Sequence, residues 1–285
     1  MNSQYNPYLP LPVRAEEIRI ENEARDLKTF RLSFEDKRDR ENFRFVCGQF
    51  AMLSVPGAGE CPIGIASSPL DTEGVEFTVK RYADGVVSSA LHCLETGDRI
   101  GVRGPYGNGF PLEELQGRNI VIVGGGFAFT TLRSTIKYLL DAGQRSLYKD
   151  ITVLYGARSP GELLYKNELA EWEKRTDIAM HVTVDKGDAD WKGRTGFVPQ
   201  VLQELAPGAA NAALLICGPP IMLKYTLPVA IELGFRDEDI YTSLERKMSC
   251  GIGKCGRCNI DSRYICKDGP VFSYAELQRI NENLF

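Results

Sequence analysis

Apolar and polar positions alternate in short runs through roughly the first hundred residues. "EEIRIENEA" (16–24), "TFRLSF" (29–34), "FAMLSV" (50–55), "VEFTVKRY" (75–82) and "DRIGVRGP" (98–105) each show the two-residue period or the β-branched enrichment of a strand. Gly, Pro or Asp clusters separate several of them. Many short strands with little helix predict a small β-barrel or sandwich. A single short helix is expected after Gly85, over "VVSSALHCL".

The pattern changes after "PLEELQGR" (111–118). "NIVIVGGG" (119–126) is a continuous apolar run ending in glycines, and the helical "TLRSTIKYLLDAG" follows it. The runs "DITVLYGAR", "AMHVTVDK", "AALLICGPP" and "DIYTSLE" then alternate with "LLYKNELAEWEKR", "VPQVLQELAPG" and "IMLKYTLPVAIELG". Buried-type strands alternating with helices predict a parallel sheet with crossover helices. Three regions follow: a β-barrel over 1–113, an α/β domain over 114–245 and a cysteine-rich segment over 246–285.

Composition narrows this picture slightly. Apolar residues make up 43% of the 285 and charged residues 25%, with a net charge of −4, so nothing suggests a polyanion partner such as nucleic acid. No apolar run reaches the roughly 18 residues of a membrane span. "MNSQYNPYLPLPVRAEE" lacks the basic-then-apolar layout of a secretory signal, so a cytoplasmic protein is expected. In that compartment clustered thiols serve as metal ligands or redox groups.

Two turns invite a phosphate. "VIVGGGFAFTTLRS" leaves a strand through Gly124, Gly125 and Gly126 and enters a helix, where free N–H groups and a positive dipole end await an anion. The spacing is not G-x-G-x-x-G, and a packed strand-to-helix turn is the bland alternative. "CGPPIM", with Cys217, Gly218, Pro219, Pro220 and Met222, follows another buried strand. Ligands of open parallel sheets gather at the strands' carboxyl ends, so both turns can face one dinucleotide crevice. Phe127 and Phe129 read as core residues, as do Cys47 and Cys93. His92 and His181 read as structural.

Half of the eight cysteines fall near the end, in "CGIGKCGRC" and at Cys266. Cys250-x4-Cys255-x2-Cys258 has the plant-type [2Fe–2S] spacing, which needs one further thiol. Four thiolates also suit tetrahedral Zn²⁺, although zinc sites usually pair cysteines in short knuckles.

Taken in order, "GQFAML", "PIGIASSP", "FTVKR", "GVVSSAL", "GPYGNGF", "GGG", "YGAR" and "CGPPIM" resemble the ferredoxin-NADP reductase superfamily through nearly the whole chain. The tail "SLERKMSCGIGKCGRC" narrows the resemblance to subunits that carry FAD and a C-terminal [2Fe–2S] cluster. These are sulfhydrogenase gamma subunits, flavin subunits of heterodisulfide-reductase-like complexes and the iron–sulfur subunit of dihydroorotate dehydrogenase B. The resemblance implies that Pro62, Ile63, Gly64, Ile65, Ala66 and Ser67 line the flavin ring. It places Val79 and Lys80 at the flavin or its ribityl chain, and Gly85, Val86, Val87 and Ser88 at its phosphates. The nicotinamide contacts it implies are Gly124–Gly126, Gly156, Arg158, Cys217–Pro220 and Met222. Two departures stand out. Cys61-Pro62-Ile63-Gly64 lacks both the usual Arg and the usual hydroxyl, and "GGGFAFTTL" replaces a smaller, Pro-containing loop.

The function so implied is electron transfer from NAD(P)H to FAD to [2Fe–2S] to a partner redox subunit, or the reverse, with no catalytic side chain needed for hydride transfer. An assembly subunit with a zinc tail and a stand-alone flavin reductase are the alternatives. Arg158 reads equally as a partner of the NADP 2′-phosphate or as a surface charge. Lys254 and Arg257 offer cationic contacts to a partner.

Overall fold

The computed structural model describes residues 6–280. The outermost parts of the first and last expected regions, and the start of the stretch read for a signal, lie outside them. Strands β1 (Leu11–Ile20), β2 (Leu27–Phe34), β3 (Phe50–Val55), β4 (Gly59–Gly64), β5 (Val75–Lys80) and β6 (Arg99–Tyr106) form one antiparallel sheet in the order β4-β3-β6-β1-β2-β5. An antiparallel bridge between Ile65 and Phe77 joins the two edges, so the sheet closes into a barrel. Closure removes the exposed edges that would otherwise pair with other chains. The alternating residues predicted to point inward, such as Val13, Phe30, Leu32, Leu53, Phe77 and Val79, fill its core. Helix α1 (Lys37–Asn42), capped by the Asp36 side chain, lies outside the sheet, and α2 (Val86–His92) follows β5.

Helix α2 buries Ser88, Leu91 and His92, a face with helical spacing. Cys93 falls off that face and is exposed, which corrects its expected place in the core. Cys47 is buried, and burial pushes its thiol up to about 12.

The second sheet has strands β7 (Asn119–Gly125), β8 (Ile151–Ala157), β9 (Ala179–Val184), β10 (Arg194–Thr195), β11 (Ala212–Cys217) and β12 (Ile240–Ser243), all parallel. Its order is β10-β9-β8-β7-β11-β12. Crossover helices α3 (Phe129–Leu139), α4 (Lys166–Glu173), α5 (Val198–Leu205) and α6 (Pro220–Glu232) connect these strands. One core forms on the α3–α4 face and a second on the α5–α6 face, which is why β7 from Ile120 onward and β11 are apolar on both faces.

The tail forms a small hairpin of β13 (Asn259–Ile260) and β14 (Arg263–Tyr264), then the short α7 (Ile265–Asp268). It returns as β15 (Val271–Ser273), antiparallel to β12 at the edge of the parallel sheet, and ends in α8 (Tyr274–Ile280). A further core packs Phe50, Met52 and Tyr106 of the barrel against Cys258, Ile265, Cys266 and Phe272 of the tail. Among the described residues no helix is long and apolar enough to cross a membrane.

Candidate functional site

In the parallel sheet β7 lies between β8 and β11, so successive connections from it turn in opposite directions. A crevice opens at such a point, beyond the carboxyl ends of the strands. Register brings the predicted turns level there: Gly125 faces Gly156, and Gly124 faces Cys217. A cavity of about 1190 Å³ results, lined by Gly125, Gly126, Gly156, Arg158 and Cys217 through Met222. Gly124 lies behind this wall, where a Cβ would meet the Phe129 ring at 2.4 Å. At Gly125 and at Gly218 a Cβ would come within 2.2 Å of the Met222 side chain. The two turns therefore pack on one methionine, and neither glycine has room for a side chain.

Phe129 is fully buried and stacks on Tyr155 with centroids 3.9 Å apart. Phe127 is only half-buried and lines the crevice, so of the two only Phe129 is a true core residue. Arg158 stands exposed at the crevice rim, with Asp185 and Glu162 lining the same end. Burial raises the Asp185 carboxyl, and the nearby Arg158 opposes that rise.

A second cavity, about 420 Å³, lies against the barrel. Pro62, Ile63, Gly64, Lys80 and Gly85 through Ser88 line it. Ser88 Oγ donates to the Gly85 carbonyl and accepts from the Tyr82 N–H, fixing the first turn of α2. Ile65, Ala66, Ser67 and Val79 sit behind this wall, each almost fully buried. Their polar groups serve the fold: Ala66 O accepts from Arg133, Ser67 O from Ser134 Oγ, and Val79 O pairs with His92 Nε2 at 2.9 Å. Burial shifts both His92 and His181 down.

The two cavities share Lys80, Phe127, Thr131, Ser243, Leu244, Glu245 and Arg246. Several of these bring polar groups to the wall beside Cys61–Gly64. Thr131 Oγ1 lies 3.2 Å from where a Gly64 side chain would begin, so α3 supplies a hydroxyl where the local motif has none. Arg246 brings a cation to this wall. Glu245 stands at the junction, and desolvation in the crevice raises its carboxyl.

Beyond the shared wall lies the cysteine loop. Cys250 Sγ accepts N–H bonds from Ile252, Lys254 and Cys255 at 3.3–3.5 Å, and Cys266 Sγ accepts from Gly253 at 3.1 Å. Burial would raise the Cys250 thiol, yet the three N–H groups outweigh it and bring it to about 6. Cys266 is pushed up to about 12 by burial and by neighbouring Cys258. Cys61 and Cys217 are likewise raised to about 12, chiefly by burial, which for Cys217 outweighs a hydrogen bond from the Ser243 backbone. N–H groups aimed at sulfur favour thiolate, the form that binds metal. The thiols act on one another across the loop: Cys255 on Cys250, and both Cys258 and Cys250 on Cys266. Four thiols in this spacing, with backbone N–H groups aimed at sulfur, fit an iron–sulfur cluster.

Three family models match this layout in order. They are an oxidoreductase FAD-binding domain over residues 16–110, an oxidoreductase NAD-binding domain over 122–227, and the iron–sulfur cluster binding domain of dihydroorotate dehydrogenase B over 245–278. The sulfhydrogenase 1 gamma subunit of Pyrococcus furiosus is 39% identical over 95% of this chain and 93% of its own. The probable dihydroorotate dehydrogenase B (NAD(+)) electron transfer subunit of Thermococcus kodakarensis is 36% identical over 89% of this chain and 93% of its own. The chain belongs to this family of electron-transfer subunits. Its fold is that of the ferredoxin-NADP reductases. The structure of an NADH-dependent reduced ferredoxin-NADP oxidoreductase superposes with a TM-score of 0.72, covering 97% of this chain and 95% of the other at 24% identity.

As a member of this electron-transfer family, the chain is an oxidoreductase subunit with FAD-, NAD- and iron–sulfur-binding domains. Sequence reasoning missed Thr131, Glu245 and Arg246. The signal for the last two was present, since "SLER" leads directly into the cysteine loop. Nothing local marks Thr131, because only the docking of α3 on the barrel brings it to Gly64.

Proposed function

We propose that this subunit exchanges electrons between NAD(P)H and a partner redox subunit in the cytoplasm, by way of FAD and a [2Fe–2S] cluster. The observation that carries the reading is the continuity of the site. The crevice and the barrel cavity share a wall, and Phe50 of that barrel cavity packs in the same core as Cys258 and Cys266. Bound FAD exchanges a hydride with nicotinamide and single electrons with an iron–sulfur cluster.

The chain's own residues position these groups. Gly125, Gly156 and the 217–222 turn would hold the nicotinamide dinucleotide across the sheet. Pro62–Gly64, Lys80, Thr131 and the start of α2 would seat the flavin, while Phe127 and Leu244 exclude water between them. Cys250, Cys255, Cys258 and Cys266 would hold the two irons. The relatives that match end to end are subunits of sulfhydrogenases and of dihydroorotate dehydrogenase B, which supports a redox subunit, hydrogenase-like or similar, as the partner.

The test is an anaerobic titration of the purified chain with NADH and NADPH, followed by visible absorbance and electron paramagnetic resonance. Flavin bands bleached by the nicotinamide, with a signal from a reduced cluster appearing in step, are expected. A colourless, zinc-loaded protein would sink the reading and leave the assembly role.

A further inference from the structure

Arg103, in β6, is 4% exposed and lies where three parts of the chain meet. Its Nε and Nη2 donate to the two carboxylate oxygens of Glu60 at 2.7 and 2.6 Å. Its Nη1 donates to the Pro7 carbonyl at 2.7 Å and to Tyr106 Oη at 3.0 Å, and Tyr106 Oη donates to the same Pro7 carbonyl at 2.8 Å. Both Nη1 and Nη2 reach the carbonyl of Cys250 at 3.3 Å. A single guanidinium thus ties the barrel wall, the N-terminal strap and a thiol-bearing residue together. The next residue, Gly251, is pressed onto Tyr106 and Met52, where a Cβ would meet them at 3.1 and 3.2 Å.

The arrangement is costly unless it does something for the loop. A buried charge needs full hydrogen bonding, and the planar five-donor fork of arginine supplies it in a way that lysine cannot. Glu60 neutralises the pair, but it meets the Nε–Nη2 edge of the fork, whereas the Cys250 carbonyl lies on the Nη1–Nη2 side. The cation is therefore closer than its counter-ion to the cysteine loop. An electron arriving at the thiolates adds one negative charge, and a nearby cation in a water-poor setting stabilises it.

We propose that Arg103 is a positioning residue that seats the iron–sulfur loop on the flavin barrel and raises the cluster's readiness to accept an electron, with Glu60 opposing it. This rests on the reading of Cys250, Cys255, Cys258 and Cys266 as cluster ligands.

The experiment is a redox titration of the full chain, read by electron paramagnetic resonance, with iron and flavin content measured on each sample. Arg103→Gln lowers the equilibrium constant for cluster reduction about tenfold, which is ~59 mV more negative for a one-electron couple. Arg103→Lys keeps the charge and restores most of that shift. Glu60→Gln keeps the arginine, removes the anion and moves the potential in the opposite direction. A loop that was merely loosened would shift the same way in Arg103→Gln and Glu60→Gln. That result, or a fully loaded cluster with unmoved potential in both, overturns the proposal. Should Arg103→Gln lose its cluster, the sign of the Glu60→Gln shift decides alone, and a negative or absent shift is a refutation. A wild-type chain with no cluster signal overturns the electron-transfer reading itself, and is seen before any variant is made.

Discussion

Arg133 of α3 reaches across from the nicotinamide domain and pairs with Glu76 of the barrel at 2.6 Å, both side chains at 3% exposure or less. The same guanidinium binds Glu168 of α4 and the Ala66 carbonyl, and lies 4.6 Å from the centre of the Tyr165 ring. Arg19 closes the group from β1, donating to Glu76 at 2.6 Å. The two domains are thus joined through the buried Arg133–Glu76 pair, to which the partly exposed Arg19 and Glu168 add further charges, beside the cavities whose alignment matters. Breaking such a pair leaves an uncompensated buried charge, so Arg133→Met is expected to cost about 3–5 kcal/mol. Chemical denaturation measures it, and a loss under 1 kcal/mol would show that the network is incidental.

The same network gives a pH dependence. Burial alone would raise Glu76, but Arg133 and Arg19 outweigh it and hold the carboxyl at about 2. The unfolded carboxylate titrates near pH 4.3. A depressed folded-state value means that the stabilisation is full above about pH 4.3 and is lost as pH falls toward 2. Glu76→Gln should flatten the acid limb of the stability curve across that window. An unchanged limb would place the acid sensitivity elsewhere.

Thr131 tests whether a hydroxyl can be borrowed across domains. Thr131→Val keeps the shape and removes the donor, at about 1 kcal/mol for a lost hydrogen bond. The expected outcome is roughly five- to tenfold slower flavin reduction by NAD(P)H in stopped flow. Flavin and iron content should stay unchanged. Equal rates would mean that Thr131 only packs on Gly64.

Gly251 tests the seat of the cysteine loop. Its φ is +74°, and its face is closed by Tyr106 and Met52. Gly251→Ala adds about 1–2 kcal/mol of backbone strain together with the clash. Iron per chain should fall well below that of the wild type, with FAD content retained. Full iron loading would show that the loop yields easily.

Coenzyme choice turns on the rim of the crevice. Arg158→Ala is expected to lower kcat/KM for NADPH about tenfold or more, the worth of one charge-assisted contact, and to leave NADH nearly untouched. Asp185→Asn should improve NADPH use. An Arg158→Ala chain that uses NADPH as before removes Arg158 from the site.

Much of this was legible in the sequence because it is carried by local chemistry. Glycines after "NIVIV", the "CGPP" turn and the thiol spacing announce themselves within a few residues. What was not legible comes from distant contacts. Ile65, Ala66, Ser67 and Val79 share motifs with residues that line the cavity, yet Ile65 and Val79 turn into the barrel core while Arg133 and Ser134 of α3 cover Ala66 and Ser67. Phe127 and Phe129 look alike as letters, and only the turn of α3 sends one to the core and the other to the cavities. Cys93 is apolar in context but lies off the buried face of its helix. Arg103 reads as an ordinary strand residue until Glu60, Pro7 and Cys250, far apart in sequence, close around it.

The three residues of β15 have a consequence of their own. By pairing with β12 they cover what would be the open border of the parallel sheet. An uncovered strand there would offer its free N–H and C=O groups to any neighbouring chain. A truncation before the tail would therefore not yield a tidy flavin–nicotinamide reductase lacking only its iron. It would yield a molecule with a sticky flank, prone to self-association, so the metal-bearing segment doubles as a guard against aggregation.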